Sequence, residues 1–317
     1  MERLIGRFGG QYPGALVVVF AAVHGNEIAG VHALQDVFGL LEAEAKTRTT
    51  FRFEGTLLGV LGNKQALEAG KRFIHRDLNR IWEPAEIDRI LHTRPEAREA
   101  EDREAAEILS LVRKTIQQSN PEALILLDLH TTSADGGVFC IPAGDSASLR
   151  LAKELQAPVI LGLMDGIQGT LLHYAANRAF CEKDRPAHCV AAAFEGGRHE
   201  DPRSVSRCIA AVINALRAAG CIKPGEMNTR HQEILKAYSQ KLPKVSRLHY
   251  VHSIRPEDRF RMRPGYLNFQ AIRAGEHLAD DAHGPVLAPR DGLVLMPLYQ
   301  AQGSDGFFVV EEIAASS

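Results

Sequence analysis

Three apolar runs of strand length in this chain each end in a residue able to carry chemistry, and that recurrence narrows the folds open to it. The first, within residues 16–27, closes in His24-Gly25-Asn26-Glu27. Apolar residues at helical spacing follow at once: Ala29, Ala33, Leu34, Val37, Phe38 and Leu41. The second, residues 123–130, ends in Asp128-Leu129-His130, and the third, residues 189–194, runs into Glu195-Gly196-Gly197. Further short apolar runs at 56–61, 138–141 and 157–163 alternate with helical stretches at 105–117, 146–155, 170–178 and 204–219. Such alternation predicts an α/β fold, a mostly parallel sheet with helices on both faces. The carboxyl ends of parallel strands share one edge, where ligands bind, so the strand-end residues are expected together.

The residue types at those ends suggest a metal. An imidazole and a carboxylate three residues apart across a turn, His24 and Glu27, can converge on one ion, and both are good zinc ligands. The same pair also reads as a polar turn before a helix-start Glu favoured by the helix dipole. His130 is the second strand-end imidazole. Asp128, two residues before it on the same strand face, can hydrogen-bond a metal-bound ring. Glu195 reads equally as a catalytic acid/base or as a turn residue. Residues 69–80 have few apolar positions and no period, and they hold Lys71, Arg72, Arg76 and Arg80, so they read as a basic loop over a surface or a site. Residues 83–101, charged and containing Pro84 and Pro95, are expected to form an exposed excursion.

Composition excludes several classes. A chain of 317 residues can hold one large core and a smaller unit. A net charge of −2 gives no electrostatic ground for nucleic acid or an anionic membrane. No apolar run reaches the length of a membrane span, and the N-terminus does not read as a secretory signal. Five cysteines, an odd count with no Cys-x-x-Cys, read as the reduced thiols of a cytoplasmic protein, which leaves His and carboxylates as metal ligands. There is no phosphate-binding loop and no Gly-x-Ser-x-Gly elbow. Residues 220–244 turn polar, with Pro224, Gly225 and Pro243, which predicts a unit at 1–222, a linker at 223–244 and a small all-β unit at 245–317. Residues 272–297 have the rhythm of a biotinyl or lipoyl unit but lack a Lys at the hairpin tip, where Leu295-Met296-Pro297 stands. A structural or lid role is expected for that unit.

Taken in order, His24-Gly25-Asn26-Glu27, Arg72 with Asp77-Leu78-Asn79-Arg80, Asp128-Leu129-His130-Thr131-Thr132 and Glu195-Gly196-Gly197 resemble the succinylglutamate desuccinylase/aspartoacylase family, relatives of the zinc carboxypeptidases, over about residues 14–220. The resemblance implies a carboxypeptidase-like α/β fold with one Zn²⁺ held by His24, Glu27 and His130. It implies Glu195 as general base, Arg72 as oxyanion stabiliser, and Asn79, Arg80 and Arg185 as carboxylate binders. The family often brings a Tyr from its C-terminal unit, and Tyr299 is the nearest candidate, with Tyr266 as the other. The activity implied is hydrolysis of the amide of a small N-acyl amino acid, of the N-succinylglutamate or N-acetylaspartate kind, since the basic loop argues for an acidic substrate. A zinc carboxypeptidase acting on small peptides and a metal-free binding module on the same scaffold are the competing readings. A homo-oligomer stays open.

Overall fold

The structure, a computed structural model, describes residues 2–181, 186, 188–223, 225–227 and 230–314. Its strands are β1 (Leu4–Gly9), β2 (Tyr12–Ala21), β3 (Glu54–Leu61), β4 (Ala123–Thr132), β5 (Phe139–Pro142), β6 (Val159–Leu161) and β7 (His188–Arg198). Toward the C-terminus follow β8 (Val245–Ser253), β9 (Arg261–Met262), β10 (Gln270–Ile272), β11 (His277–Asp281), β12 (Gly284–Leu287), β13 (Gly292–Leu295) and β14 (Asp305–Glu312). The helices are α1 (Ala29–Thr47), α2 (Lys64–Glu68), α3 (Pro84–His92), α4 (Ala100–Ser119), α5 (Ser146–Glu154), α6 (Leu163–Gly166), α7 (Leu171–Ala176), α8 (Arg203–Ala218) and α9 (Arg230–Tyr238).

Strand β2 shows why the sheet must be covered on both faces. Residues 16–21 are fully buried, and successive side chains of a strand point to opposite faces. Val17, Val19 and Ala21 pack with Leu34 and Val37 of α1 and Val212 and Leu216 of α8. Leu16, Val18 and Phe20 pack with Ile108, Leu109 and Val112 of α4, and with Trp82 and Phe180. Each such side chain contributes about 1.5–3 kcal/mol on burial. Gly30 lets α1 approach closely, because a Cβ there would press on Ala21 and Leu129.

Among the described residues the main sheet has eleven strands in the order β1-β3-β2-β4-β7-β5-β6-β8-β14-β13-β10. β3, β2, β4 and β7 are mutually parallel, with Ala21 opposite Leu129 and His130 opposite Glu195. This register brings the three predicted strand ends to one edge. β5 runs antiparallel to β7. The C-terminal strands β8, β14, β13 and β10 extend the same sheet, while β12, β11 and β9 form a small separate antiparallel sheet over Leu278, Ile272 and Phe307. The connection from β13 to β14 folds back over the strand ends of the first part. All five cysteines are free, and among the described residues no helix is long and apolar enough to cross a membrane.

Residues 83–101 are mostly exposed, as expected, but they also carry helical structure and buried positions. They include α3, which buries Ile87 and Ile90, and the start of α4, where Glu101, Asp102 and Glu104 are buried. These carboxylates go inside because donors meet them there. Asp102 pairs with Arg76 and Arg89, and Glu104 pairs with Arg3 and accepts from Gln65 N–H. Strand β1 and much of β8 escape sequence reading because they are half-exposed and lack a continuous apolar run.

Gly25 fixes the turn after β2. Its N–H donates to Arg72 O at 3.0 Å, and an added Cβ would run into the backbone of Ala66 and Leu67. Gly25→Ala should therefore lower stability by about 1–3 kcal/mol, the usual cost of overpacking. Urea unfolding checks this, and an unchanged midpoint would mean that α2 yields freely.

Candidate metal centre and active site

The β2–α1 turn carries His24 and Glu27 to the strand edge, and β4 ends at His130 beside them. One ligand atom from each of these three buried residues lies within 4.8 Å of the others. Glu27 stands between the rings: Oε1 is 2.8 Å from His24 Nδ1, and Oε2 is 3.0 Å from His130 Nδ1. Glu27 Oε2 also accepts the Thr131 N–H at 2.9 Å, which ties the turn to the end of β4.

Each imidazole has a carboxylate on its far nitrogen. His24 Nε2 is 3.1 Å from Asp77 Oδ1, and His130 Nε2 is 2.8 Å from Asp128 Oδ2, although not aligned for a hydrogen bond. Carboxylates in this place fix the ring orientation and raise ligand basicity at metal sites. Burial works to raise the Glu27 pKa, but the neighbouring His24 and His130 together outweigh it and hold the carboxyl well below the usual range. Burial likewise opposes a charge on Asp77, and His24 and Arg72 overcome it. For His130, burial disfavours a proton, but Asp128 and Glu27 raise its pKa well above the usual value. The cluster is thus built for positive charge at its centre. Two imidazole nitrogens and one carboxylate fit a zinc site with a fourth position left open.

Glu195 lies beside this centre, opposite His130 in the β4–β7 register. It is buried, and its Oε2 has no hydrogen-bond partner. Burial pushes its pKa up to about 8, reinforced by Glu27 and Asp128 and opposed by His130 and Arg72. Behind it the strand end is clamped. Buried Arg207 donates to Gly196 O at 3.3 Å and pairs with Asp201 at 3.1 Å. The glycines are needed, since a Cβ on Gly196 would press on Cys208 and Gly197 sits at φ +106°.

The basic loop runs along the same cleft. Arg72 faces Asp77 at 3.3 Å and Glu27 at 3.4 Å. Asn79 Oδ1 accepts from Leu171 N–H at 2.8 Å, and Arg80 pairs with Asp305 at 2.7 Å. Glu101 anchors the loop from α4, accepting N–H groups of Ile74, His75 and Arg76 and the side-chain amide of Asn63. Arg76 points away from the cleft into Glu86 and Asp102. The loop's guanidiniums are therefore matched within the protein.

His24, Glu27, His130, Glu195, Arg72, Asn79 and Arg80 line one cleft of about 120 Å³. The structure does not bring Tyr299 to that lining. Tyr299 is 39% exposed, and its hydroxyl donates to Arg263 O at 2.8 Å. Tyr266 donates its own hydroxyl to Glu276 at 2.8 Å. Arg185 lies outside the described residues. Sequence reading missed the residues that close the cleft from the C-terminal side. Gln300 accepts from Asn26 Nδ2 at 2.8 Å and contacts His199, which itself meets Thr131 Oγ1 at 2.7 Å. Gln302 accepts the Arg72 N–H at 3.1 Å, and Asp305 meets Arg80. No local pattern marks them, because these partners lie 101 to 274 residues away in the chain.

Asp77 orients His24 without being one of the three converging residues. Asp77→Ala should weaken zinc binding about 10–100-fold, read by chelator competition. Unchanged affinity would remove Asp77 from the support of the metal centre.

A family model, the succinylglutamate desuccinylase/aspartoacylase catalytic domain, matches residues 13–182. A probable aspartoacylase of Prochlorococcus marinus (strain NATL1A) is 32% identical over 142 residues, which are 44% of this chain and 42% of that protein. The N-acyl-aromatic-L-amino acid amidohydrolase (carboxylate-forming) A of Danio rerio is 28% identical over 145 residues, 45% and 42% of the two chains. These matches span less than half the length of either relative. The product-bound ectoine utilization protein EutE (DoeB) of Ruegeria pomeroyi shares the fold, with a TM-score of 0.64 at 19% identity over 95% of this chain and 86% of that one.

Proposed function

The chain belongs to the succinylglutamate desuccinylase/aspartoacylase family, and on that premise we propose that it hydrolyses the amide bond of an N-acyl amino acid with one Zn²⁺ held by His24, Glu27 and His130. The observation that carries the proposal is the convergence of these three buried groups beside Glu195, a buried carboxylate with an unpartnered oxygen. Bound there, zinc supplies a Lewis acid that activates water and polarises an amide carbonyl.

The chain's own residues do the rest. Glu195 takes the proton of the attacking water and passes it to the leaving amine nitrogen. Arg72 stands in the cleft wall beside Glu27, where its guanidinium stabilises charge developing on the carbonyl oxygen. Asn79 and Arg80, on the same wall, meet the substrate's carboxylate end. Residues 245–317 act as the capping unit on a catalytic unit at 1–222, with 223–244 between them. A cleft of this size under a cap suits a small amide better than a polypeptide. The relatives' names span acidic and aromatic N-acyl amino acids, so both kinds belong in the test.

Purified protein should release amino acid from at least one of N-succinylglutamate, N-acetylaspartate, an N-acetyl aromatic amino acid or a neutral aliphatic N-acetyl amino acid. Chelator should abolish the release, and added zinc should restore it. No turnover of any member with zinc confirmed in the protein would overturn the proposal. Glu195→Ala should keep its zinc and lose about 10²–10⁴-fold in kcat, the usual span for a general acid–base group. Full activity in that variant would take the proton-transfer role away from Glu195.

A further inference from the structure

Arg80 and Asp305 stand 225 residues apart in sequence and meet inside the cleft. Arg80 Nη2 donates to Asp305 Oδ2 at 2.7 Å, and Nη1 donates to Asn79 O at 2.8 Å. Both terminal nitrogens of the fork that grips carboxylates are therefore engaged. Both partners are also held in place. Asp305 opens β14, pairs with Ser253 in the sheet, and accepts from Ser304 Oγ at 3.2 Å. Arg80 is backed by Gly169, where a Cβ would collide with the Arg80 carbonyl, and by the Asn79 contact to Leu171 N–H.

The rest of the wall is mixed: Thr132, Ser133, Thr170, Gln300 and Ser304 bring hydroxyl and amide groups to it beside an apolar part. Leu163, Ile167, Leu172, Met296, Leu298 and Phe308 line the same cleft. Arg72, the cleft's other guanidinium among the described residues, already faces Glu27 and Asp77. Each guanidinium that lines the cleft therefore already has a carboxylate partner.

We infer that Asp305 is a specificity-determining residue that restricts the substrate to an N-acyl amino acid with a single carboxylate and an apolar side chain. The inference rests on the N-acyl amino acid reading of the site. One substrate carboxylate can share a guanidinium with its resident acid, because Arg presents five N–H donors. A second carboxylate drawn toward Arg80 would stand against Asp305, where like charges repel. An apolar side chain in the same place buries its surface favourably.

The test compares kcat/KM for N-acetylleucine and N-acetylaspartate in the zinc-loaded protein and in Asp305→Asn. Wild type should favour N-acetylleucine at least tenfold, and the substitution should move the ratio at least tenfold toward N-acetylaspartate. A wild-type preference for N-acetylaspartate, or an unmoved ratio in the variant, overturns the inference. Calorimetric binding of butyrate and succinate reads the same choice without turnover. Asp305→Asn should gain at least tenfold in succinate affinity relative to butyrate, and no relative gain overturns the inference. If no amide is cleaved, the proposed reaction fails while the calorimetric comparison still decides the role of Asp305. Should Asp305→Asn not fold, Asp305→Ser removes the same charge and serves both measurements.

Discussion

A carboxylate sealed from water is tolerated only where donors and positive charge surround it, and Glu27 is the carboxylate around which this structure is arranged. His24 and His130 flank it, the Thr131 N–H binds one oxygen, and Arg72 approaches the other. Each of these groups arrives by a different route. His24 shares the turn of Glu27, His130 and Thr131 end a parallel neighbour of β2, and Arg72 comes from a loop that follows α2. Gly25 lets that turn sit directly on α2, and its N–H is bonded to the carbonyl of Arg72. Meeting one buried charge thus fixes strand register, turn conformation and loop position together.

The same logic holds the basic loop. Residues 70–77 have little regular structure, so their backbone donors must find acceptors elsewhere. Glu101 supplies several from the first turn of α4, at 0% exposure, and Asp102 and Glu86 hold Arg76 beside it. Asp102 is buried while Arg76 is only half-buried, and Asp102 keeps Arg89 as a second partner. Glu86, Glu101 and Asp102 therefore support the basic loop, while Asp88 and Glu99 stand in solvent.

That contrast explains how much could be read from sequence. The strand ends were legible because each signal is local: an apolar run, then a His or Glu, then glycine or a helix start. The parallel arrangement inferred from alternation places His24, Glu27, His130 and Glu195 at one edge, and the structure brings them there. Glu101 and Asp305 were not legible, because nothing in their own neighbourhood distinguishes a buried anchor from an ordinary surface acid. Their meaning lies in partners 25 to 38 and 225 residues away. In the C-terminal unit a single position matters. Tyr299 looks outward to the carbonyls of Arg263 and Tyr266, while its neighbour Gln300 turns in to Asn26 and His199. The family resemblance suggested the first, but the course of the β13–β14 connection brings the second to the cleft.

The division of labour that results is physical. The converging ligands and Glu195 sit at the ends of central strands, the part of the fold with the most buried contacts and the least freedom to shift. The connection at 296–304 and Asp305 reach the same cleft from an antiparallel extension of the sheet, tethered by side-chain contacts from Gln300, Gln302 and Asp305. A substitution in that connection changes the charge and shape of the cleft while leaving β2, β4 and β7 in register. On the proposed reading, chemistry and selectivity are carried by different segments of one sheet: the reacting atoms by the ends of β2, β4 and β7, and the ligand's charge by Asp305 at the start of β14.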